Sequence, residues 1–525
     1  MTPAESLAAE ARAAKVLAAK GPSAETATPE ALTTDPPTTD APTTEAPTIA
    51  GQGPMGSAYR LLTVALLALV TIIAFEAMAI STAMPSVAKD LDAVRSYGLA
   101  FSLMLTAELL GIVLAGVWSD RKGPLPSLFA GQALLAAGSA VAGLAQTFPM
   151  LLVGRLVAGL GSGLIVVALY VVIGRAYPDA LRPKVFSWIS AAWVLPSLIG
   201  PPISGWLAST WSWRWVFLIV LLPIAVTVVV VVSQRDRITN GSGRPGPELA
   251  EAGLSAEADS GTDTSDQRQM ADHVGHRQMA ILGLAVALSA GAMQWGADRL
   301  APAHLLPVAV AVLGLVGVAL IAPRLVPAGT LRMARGLPSV MTSRFLLTAS
   351  FNGAMTFIPL MLVNERHLGL TNAGIMLTVG ALGWSFGSFV QGHRALHDRR
   401  SELVVAGGAS LTVGILLLAA IAQLNWHYYF VGLATTLSGL GMGLAMSSTS
   451  VLALALSAVR DHGRTASSLQ LADVLGSVMG ISAAGAVFAA MHDPHGSDVP
   501  VFVLMWVILA GVASLVMVGG QRIRT

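Results

Sequence analysis

Fourteen apolar runs of about 18 to 25 residues follow one another between Leu61 and Val518, and the charged residues collect in the gaps between them. A helix needs roughly 20 apolar residues to cross about 30 Å of hydrocarbon. The pattern therefore predicts an all-α polytopic membrane protein with 14 transmembrane helices. The expected spans are 60–83, 97–118, 127–146, 150–174, 186–208, 214–233, 279–296, 304–322, 340–362, 372–391, 403–421, 427–453, 467–491 and 500–518.

Two polar stretches interrupt this pattern. The first residues are rich in Ala, Thr and Pro, and the segment after the sixth span is rich in Gly, Ser, Asp and Glu. Such compositions bury too little apolar surface to fold. We therefore expect a disordered N-terminal tail at 1–57, a six-helix bundle at 58–233, a cytoplasmic linker at 234–278, two extra helices at 279–322, and a second six-helix bundle with a short tail at 323–525.

The composition excludes several classes of function. Hydrophobic residues make up 54% of the chain and charged residues only 11%, whereas about a quarter of the residues in soluble domains are charged. The chain has no cysteine, which excludes disulfides, thiolate metal sites and cysteine nucleophiles. A net charge of +2 is too small to suggest a nucleic-acid partner. No phosphate-binding loop is present, and no paired histidines stand at metal spacing on a predicted span, so the sequence does not indicate an enzyme.

The basic residues are distributed unequally between the two sides of the predicted bundle. Twenty-one Arg and Lys residues fall on the side of the even-numbered connections and the C-terminus, counting Arg344 among them, and five fall on the opposite side. Cytoplasmic loops of membrane proteins carry such an excess. The sequence therefore predicts a multi-pass protein of the cell membrane with both termini in the cytoplasm.

The connection between the second and third spans carries a motif of small and charged residues. It contains Gly116, Asp120, Arg121 and Gly123, which form a tight turn able to pin neighbouring helix ends by charge-assisted hydrogen bonds. The alternative is an ordinary basic loop. The string resembles the signature loop of the major facilitator superfamily, with Trp118 where that family prefers leucine. The resemblance implies a gating loop here.

The fourth span carries an arginine in an apolar setting. Arg155, Gly159 and Gly163 are four residues apart and share one helix face, so a second helix can pack closely beside the guanidinium. An arginine at this depth should face a polar cavity and find an acid. The alternative is an arginine whose head reaches the membrane surface. The run is similar to the second motif of the same superfamily, with Ala158 in place of its glutamine.

The fifth span has a stripe of small and helix-bending residues. The residues that recur at every fourth position, with Pro201 and Pro202 added, form a smooth surface for close packing, and they are Ala192, Pro196, Gly200, Ser204 and Ala208. The stripe resembles the motif of superfamily antiporters, because Gly200, Pro201 and Gly205 match that motif, while Pro196 and Ser204 stand where it has glycines. The resemblance implies export by exchange, whereas the alternative is helix packing alone.

Three acids lie at depth beside Arg155, namely Glu76, Glu108 and Asp473. A carboxyl group that alternates between a dry and a wet setting can take up and release a proton, so such acids suit proton-coupled transport. Glu76 stands where the fourteen-helix drug/proton antiporter branch tends to carry aspartate, and it either couples transport to protons, contacts substrate or pairs with Arg155. Glu108 either joins that site or pairs with a neighbouring polar group.

Asp473 has two interpretations of its own. It shares a helix face with Gly476 and Gly480, and it lies closer to the cytoplasmic side than the other acids. It belongs either to the proton site or to an inner gate with Arg121 or a nearby loop base. A separate outer-loop cluster, containing His492 and Asp498, is either a weak metal site or a solvated loop.

The resemblance to the drug/proton antiporter branch covers about residues 58–520. It implies the major facilitator fold, with two six-helix bundles and two spacer helices. We expect a monomeric secondary active exporter of hydrophobic or amphiphilic small molecules, driven by protons and embedded in the lipid bilayer, without cofactor or metal. Two alternatives remain open, namely a metabolite importer or facilitator of the same fold, and a non-transporting sensor or scaffold.

Overall fold

The computed structural model describes residues 54–57, 59–178, 181–239, 265–299, 305–458 and 462–523. Within these ranges the chain is helical and contains no β-strand, as the sequence predicts. Most of the predicted tail at 1–57 and of the linker at 234–278 lies outside the described residues.

Fourteen main helices follow the predicted order, and α6 and α9 are each built from two pieces. They are α1 (Arg60–Asp90), α2 (Tyr97–Lys122), α3 (Pro124–Gly143), α4 (Phe148–Ala176), α5 (Arg182–Thr210), α6 (Arg214–Leu218 and Leu221–Ser233), α7 (Ser265–Asp298), α8 (Leu305–Ile321), α9 (Leu337–Thr356 and Ile358–Asn364), α10 (Leu370–Gln391), α11 (Arg400–Gln423), α12 (Tyr429–Ala455), α13 (His462–Met491) and α14 (Val499–Arg522). Thirteen of the described helices are long and apolar enough to cross a membrane. The remaining helix, α7, begins with a polar stretch and becomes apolar from about Ile281 onward.

Each half of the molecule is packed through close helix pairs. In the first half, α1 to α6, the pairs α3–α4 and α2–α4 have the most extensive contacts, and in the second half, α9 to α14, the pairs α10–α12 and α11–α12 do. Glycines allow this approach, because a side chain at Gly138 or Gly154 would collide with the partner helix backbone. Small residues at such interfaces are what membrane helices need to associate.

The two halves meet toward one end of the bundle, which we call the Asp90 end after the last residue of α1. There the hydroxyl of Tyr97 donates to the backbone oxygen of Thr356 at 3.1 Å, and Arg95 Nε donates to the backbone oxygen of Ala489 at 2.9 Å. The rings of Tyr97 and Phe357 also lie 5.4 Å apart between centroids. These contacts join the start of α2 to α9 and α13, so the bundle is closed at this end.

The opposite end, which we call the Arg121 end, is organised differently. A core cluster running from Leu62 to Ile238 contains first-half residues, whereas the cluster that includes Ala79, Tyr97, Phe357 and many residues of α9 to α14 joins both halves. The apolar core is therefore shared between the halves toward the Asp90 end. Toward the Arg121 end the first half has a core of its own.

Exposed aromatic side chains mark the Asp90 end from outside. Trp206, Trp211 and Trp215 form a chain of ring contacts with centroids about 6 Å apart, and all three are exposed. Trp426 and Tyr429 are exposed at the same end of the second half. Tryptophan and tyrosine prefer the boundary between hydrocarbon and headgroups. These residues therefore mark one membrane surface.

Candidate functional site

The candidate site begins with the packing of α4 against α2. A side chain at Gly159 would collide with the backbone of Met104, and one at Gly163 would collide with the backbone of Glu108. The contacts between α2 and α4 therefore recur every four residues along each helix. This spacing places the contacting residues on one helix face. The glycine stripe predicted on α4 has α2 as its partner, and it brings Arg155 and Glu108 to the same helix pair.

Arg155 makes polar contacts with both α1 and α2 beside this helix contact. Its Nε donates to the backbone oxygen of Ala100 on α2 at 3.3 Å, and its Nη1 lies 3.5 Å from Oε1 of Glu76 on α1. Both charged residues are only 3% exposed. The second carboxyl oxygen of Glu76, Oε2, is buried and has no hydrogen-bond partner among the described residues. The pair is therefore long and incompletely bonded, in contrast to the short charge-assisted hydrogen bonds that strong pairs make.

Glu108 completes the site as a second acid. It is close enough to interact electrostatically with both Glu76 and Arg155. Two carboxyl groups then share one guanidinium, so Arg155 can balance only one of them when both are ionised. An uncompensated negative charge is expensive where water does not reach it, and Glu108 itself is partly exposed. When both acids are ionised, the site therefore carries one negative charge more than Arg155 balances.

A second buried ion pair lies toward the Arg121 end, within the second half. Arg344 on α9 binds Asp473 on α13 through two hydrogen bonds, with Nε to Oδ1 at 2.6 Å and Nη2 to Oδ2 at 2.8 Å. Its Nη1 also donates to the backbone oxygen of Met446 and to the hydroxyls of Thr449 and Ser450 on α12, at 2.7, 3.2 and 2.7 Å. This pair is bidentate and fully bonded.

Arg344 is a residue that the sequence reasoning placed wrongly. The count of basic residues assigned it to a connection, whereas the structure places it inside α9, seven residues after the first residue Leu337, and only 9% exposed. The face shared by Asp473, Gly476 and Gly480 packs on α9, where side chains at the two glycines would collide with the backbone of that helix. A signal was available, because Arg344 falls inside the apolar span predicted at 340–362.

The two ion pairs differ in the number and in the length of their hydrogen bonds. The Arg344–Asp473 pair uses both carboxyl oxygens and has three further partners, whereas the Arg155–Glu76 pair uses one oxygen at 3.5 Å and leaves the other unbonded. Breaking the first loses two short charge-assisted hydrogen bonds, whereas loosening the second loses one contact of 3.5 Å and leaves Arg155 within electrostatic range of Glu108. Asp473 thus joins α13 to α9 through both carboxyl oxygens, whereas Glu76 is held by one long contact.

The signature loop lies at the Arg121 end between α2 and α3. Gly123 has a φ of 78°, a conformation that favours glycine, and a side chain there would lie 3.2 Å from Nη1 of Arg175 at the end of α4. Arg121 is exposed, and a side chain at Gly116 would meet no atom within 4 Å. The side chain of Asp120 lies outside the described residues.

The small-residue stripe of α5 packs on helices of both halves. A side chain at Gly205 would lie 2.5 Å from the backbone oxygen of Leu370 on α10, and one at Gly374 would lie 2.5 Å from the backbone oxygen of Pro201. Gly200 faces α1 with more space, since a side chain there would be 3.6 Å from the ring of Phe75. Pro196 is buried and lies inside the helix. The stripe is thus part of the contact between the two halves.

The outer-loop cluster is a network of hydrogen bonds. Nδ1 of His492 lies 2.8 Å from Oδ2 of Asp498, and the backbone nitrogen of Asp498 donates to Oε1 of Glu365 at 3.0 Å. The described residues contain no group of three or more His, Cys, Asp or Glu side chains placed to hold a metal ion. These hydrogen bonds join the end of α9 to the loop between α13 and α14.

Comparison with known sequences places these features in a family. A sequence profile described as Major Facilitator Superfamily matches residues 66–481. The multidrug efflux pump SdrM of Staphylococcus aureus (strain N315) is 31% identical over 154 residues, which cover 28% of this chain and 34% of SdrM. The multidrug resistance protein MdtL of Shigella flexneri serotype 5b (strain 8401) is 30% identical over 119 residues, covering 22% of this chain and 30% of MdtL. The chain thus spans about a third of the length of these curated relatives.

Solved structures share the fold at lower sequence identity. The peptide transporter POT in complex with alafosfalin has a TM-score of 0.62 at 13% identity, with 90% of this chain and 97% of that chain covered. The D-xylose–proton symporter has a TM-score of 0.56 at 14% identity, with 87% and 97% covered. At such identity the likeness concerns the arrangement of helices alone.

Proposed function

This chain belongs to the Major Facilitator Superfamily, and from that premise we propose that it is a proton-coupled antiporter that exports hydrophobic or amphiphilic small molecules from the cell. The superfamily consists of transporters, and two of the relatives carry multidrug efflux or resistance in their names. The observation that carries the proposal is the loose, buried pair of Glu76 and Arg155 with Glu108 beside it.

Proton exchange at this site follows from its charges. When Glu76 is ionised it is held by Arg155, and when it is protonated the attraction to the guanidinium is lost. The 3.5 Å pair has few other bonds to break, and Glu108 stays within electrostatic range of Arg155 as a counter-charge, so a proton can release α1 from α4 without leaving the buried guanidinium uncompensated. Glu108 is the second acid of the site. Its negative charge can bind a proton or a cationic part of the solute. Arg344 and Asp473 keep α9 and α13 together throughout.

The energy available from protons is sufficient for such export. A proton that crosses 100 mV gains about 2.3 kcal/mol, and a tenfold concentration gradient of an uncharged solute requires about 1.4 kcal/mol. One proton per cycle therefore supports a gradient of ten- to a hundredfold. ATP is not needed.

The direction of transport is proposed from the distribution of charges. The Arg121 end carries the excess of basic residues and is assigned to the cytoplasm, and the halves are joined at the Asp90 end. The described conformation is then closed toward the outside. A solute would bind from the cytoplasmic side, and a proton arriving from outside would reset the site.

Transport into inside-out membrane vesicles tests the proposal. Vesicles from cells that produce the protein are given a panel of fluorescent dyes and antibiotics, with and without an uncoupler. The expected result is accumulation of at least one amphiphile that the uncoupler abolishes and that added ATP does not restore. Loss of solute from vesicles under the same gradient would indicate import, and an absence of any movement across the panel would contradict a transport function.

A further inference from the structure

The halves of the bundle meet along two lateral seams, and one of them is covered. The α2–α13 seam is overlaid by α7 and α8 through a cluster of apolar side chains. It contains Leu109 of α2, Val286, Ala287 and Ala290 of α7, Val318 of α8, and Val474, Leu475 and Val478 of α13. Toward the Arg121 end, Ile321 and Leu325 extend the cover against Leu471. This seam is therefore separated from the surrounding lipid.

The covering helix is attached to the first half by polar bonds. Nε2 of Gln294 on α7 donates to the backbone oxygen of Ser102 at 3.2 Å and to the hydroxyl of Thr106 at 2.7 Å, both on α2. The hydroxyl of Ser96, just ahead of α2, donates to Oδ2 of Asp298 at 3.0 Å. The contacts of α7 with α13 in the cluster above are apolar. Because no hydrogen bond is lost when the apolar surfaces of α7 and α13 slide past each other, α7 can move together with α2. The α2–α13 seam then stays covered.

The opposite seam lies between α5 and α10, and its contacts are concentrated near the Asp90 end. Gly205 packs on the backbone of Leu370, and Pro201 packs on Gly374. One turn further toward the Arg121 end, the hydroxyl of Thr378 donates to the backbone oxygen of Leu198 at 3.0 Å. These pairs define one stripe on each helix, with steps of three or four residues.

The same two stripes become exposed beyond that last contact. On α5 the stripe continues from Leu198 to Val194 and Ala191, and Val194 is 39% exposed. On α10 it continues from Thr378 to Ala381 and Ser385, which are partly exposed. The surface of α5 that is buried at the Asp90 end is thus uncovered toward the Arg121 end, and the facing surface of α10 is partly uncovered there.

The exposure of α5 extends around most of the helix at this level. Ala191, Trp193, Val194 and Leu195 are all exposed, and at 3.6 residues per turn these positions point in widely different directions. A helix packed on one side and facing lipid on the other would show exposure on the lipid side alone. Here α5 is free on its seam side as well, and the free surface consists of apolar side chains.

We propose that the exported amphiphile enters the cavity sideways from the membrane, through the α5–α10 seam in the leaflet at the Arg121 end, while α7 and α8 exclude entry through the α2–α13 seam. The occupant is a membrane-dissolved amphiphile, because the uncovered stripe of Ala191 and Val194 offers apolar contact and no charge. This inference rests on the proposed function and adds the route by which the solute reaches the acids.

The absence of cysteine in the chain permits a direct test. Val194→Cys places one thiol on the seam, and Val413→Cys places one on α11, where the valine is 53% exposed and lies at a similar depth, about 20 Å from the Arg121 end of its helix. Each variant is first shown to export a fluorescent amphiphile at the rate of the natural chain. Each is then modified with a bulky membrane-permeant maleimide, and Ala191→Cys replaces the seam variant should the first one not fold.

The proposal predicts that modification at the seam lowers the export rate by about tenfold, a change of about 1.4 kcal/mol in barrier, and leaves the α11 variant unchanged. A small fluorophore at Val194→Cys should also be quenched by a brominated amphiphile in a saturable way, whereas quenching at Val413→Cys should rise in proportion to the amphiphile in the membrane. Export that survives modification at both positions, or proportional quenching at both, overturns the lateral route and leaves the proposed function standing. Failure of the natural chain to export any amphiphile rejects the proposed function itself.

Discussion

Two arginines in this protein sit in buried settings with different numbers of acids. Arg155 has Glu76 at 3.5 Å and Glu108 within electrostatic range, whereas Arg344 has Asp473 alone, bound through both oxygens. A guanidinium matched to one carboxylate in bidentate geometry has little reason to release it. A guanidinium that lies near two acids can pair with either of them. A proton-driven switch requires this property.

Asp473→Asn is expected to destabilise the protein strongly. It leaves Arg344 buried and without its carboxylate, and breaking a buried pair from one side costs about 3–5 kcal/mol. The measurement is thermal unfolding in detergent. The matched control is Asp90→Asn, because Asp90 pairs with Arg214 at 3.2 Å with side chains that are 52% and 36% exposed, and exposed pairs contribute about 1 kcal/mol or less. Equal losses for both variants would contradict a structural role for Asp473.

The sequence could predict the acids of the site better than their partners. Glu76, Glu108, Arg155 and Asp473 stand out because a charge in an apolar span is rare. The partner of Asp473 was not predicted, because Arg344 lies near enough to a helix end to be counted with the loops. The approach of Glu108 to Arg155 depends on the register of α2 against α4, which the glycine spacing suggests and the packing decides.

Among the helices, glycines determine which pairs approach closely. The stripes on α4 and α5 were visible in the sequence, and in the structure the first faces α2 and the second faces α1 and α10. Spacing shows that a helix has a close partner, but it does not identify the partner, because many helices present small residues. Three-dimensional packing supplies that information.

Gly205→Ala is expected to impair transport by preventing the closure of α5 against α10. The added methyl group would lie 2.5 Å from the backbone oxygen of Leu370, which cannot move as a side chain can. The control is Gly174→Ala on α4, where the methyl group meets no atom within 4 Å. In a helix this change alone stabilises by about 1 kcal/mol. Vesicle uptake should fall for the first variant and stay unchanged for the second, and equal activity would remove the α5–α10 contact from the transport cycle.

The molecule as a whole has the layout that the sequence predicts, with an all-helical bundle of the major facilitator fold. Length, hydropathy and loop charge are sufficient for that prediction, because hydrocarbon thickness restricts the choice of element. The end at which the halves are joined could not be predicted. An alternating-access protein closes at either end with the same sequence, so periodicity carries no information about the state.

The orientation of the whole molecule gives a separate prediction. Lys122 is exposed at the Arg121 end and Lys89 at the Asp90 end, and the chain has no cysteine background. In intact cells a membrane-impermeant maleimide should label Lys89→Cys and should spare Lys122→Cys until the membrane is opened. The reverse pattern would place the Arg121 end outside and would reverse the proposed direction of transport.

The central claim is that reversible protonation at the Glu76–Arg155–Glu108 site drives export. The most direct measurement is amphiphile transport by purified protein in liposomes under an imposed pH gradient, comparing Glu76→Gln with the natural chain and with Glu365→Gln, which alters an acid at the Asp90 end. We predict that Glu76→Gln loses gradient-driven transport yet still exchanges solute for solute without a gradient, while Glu365→Gln behaves as the natural chain. Gradient-driven transport by Glu76→Gln that remains as large and as sensitive to an uncoupler as that of the natural chain would contradict the account.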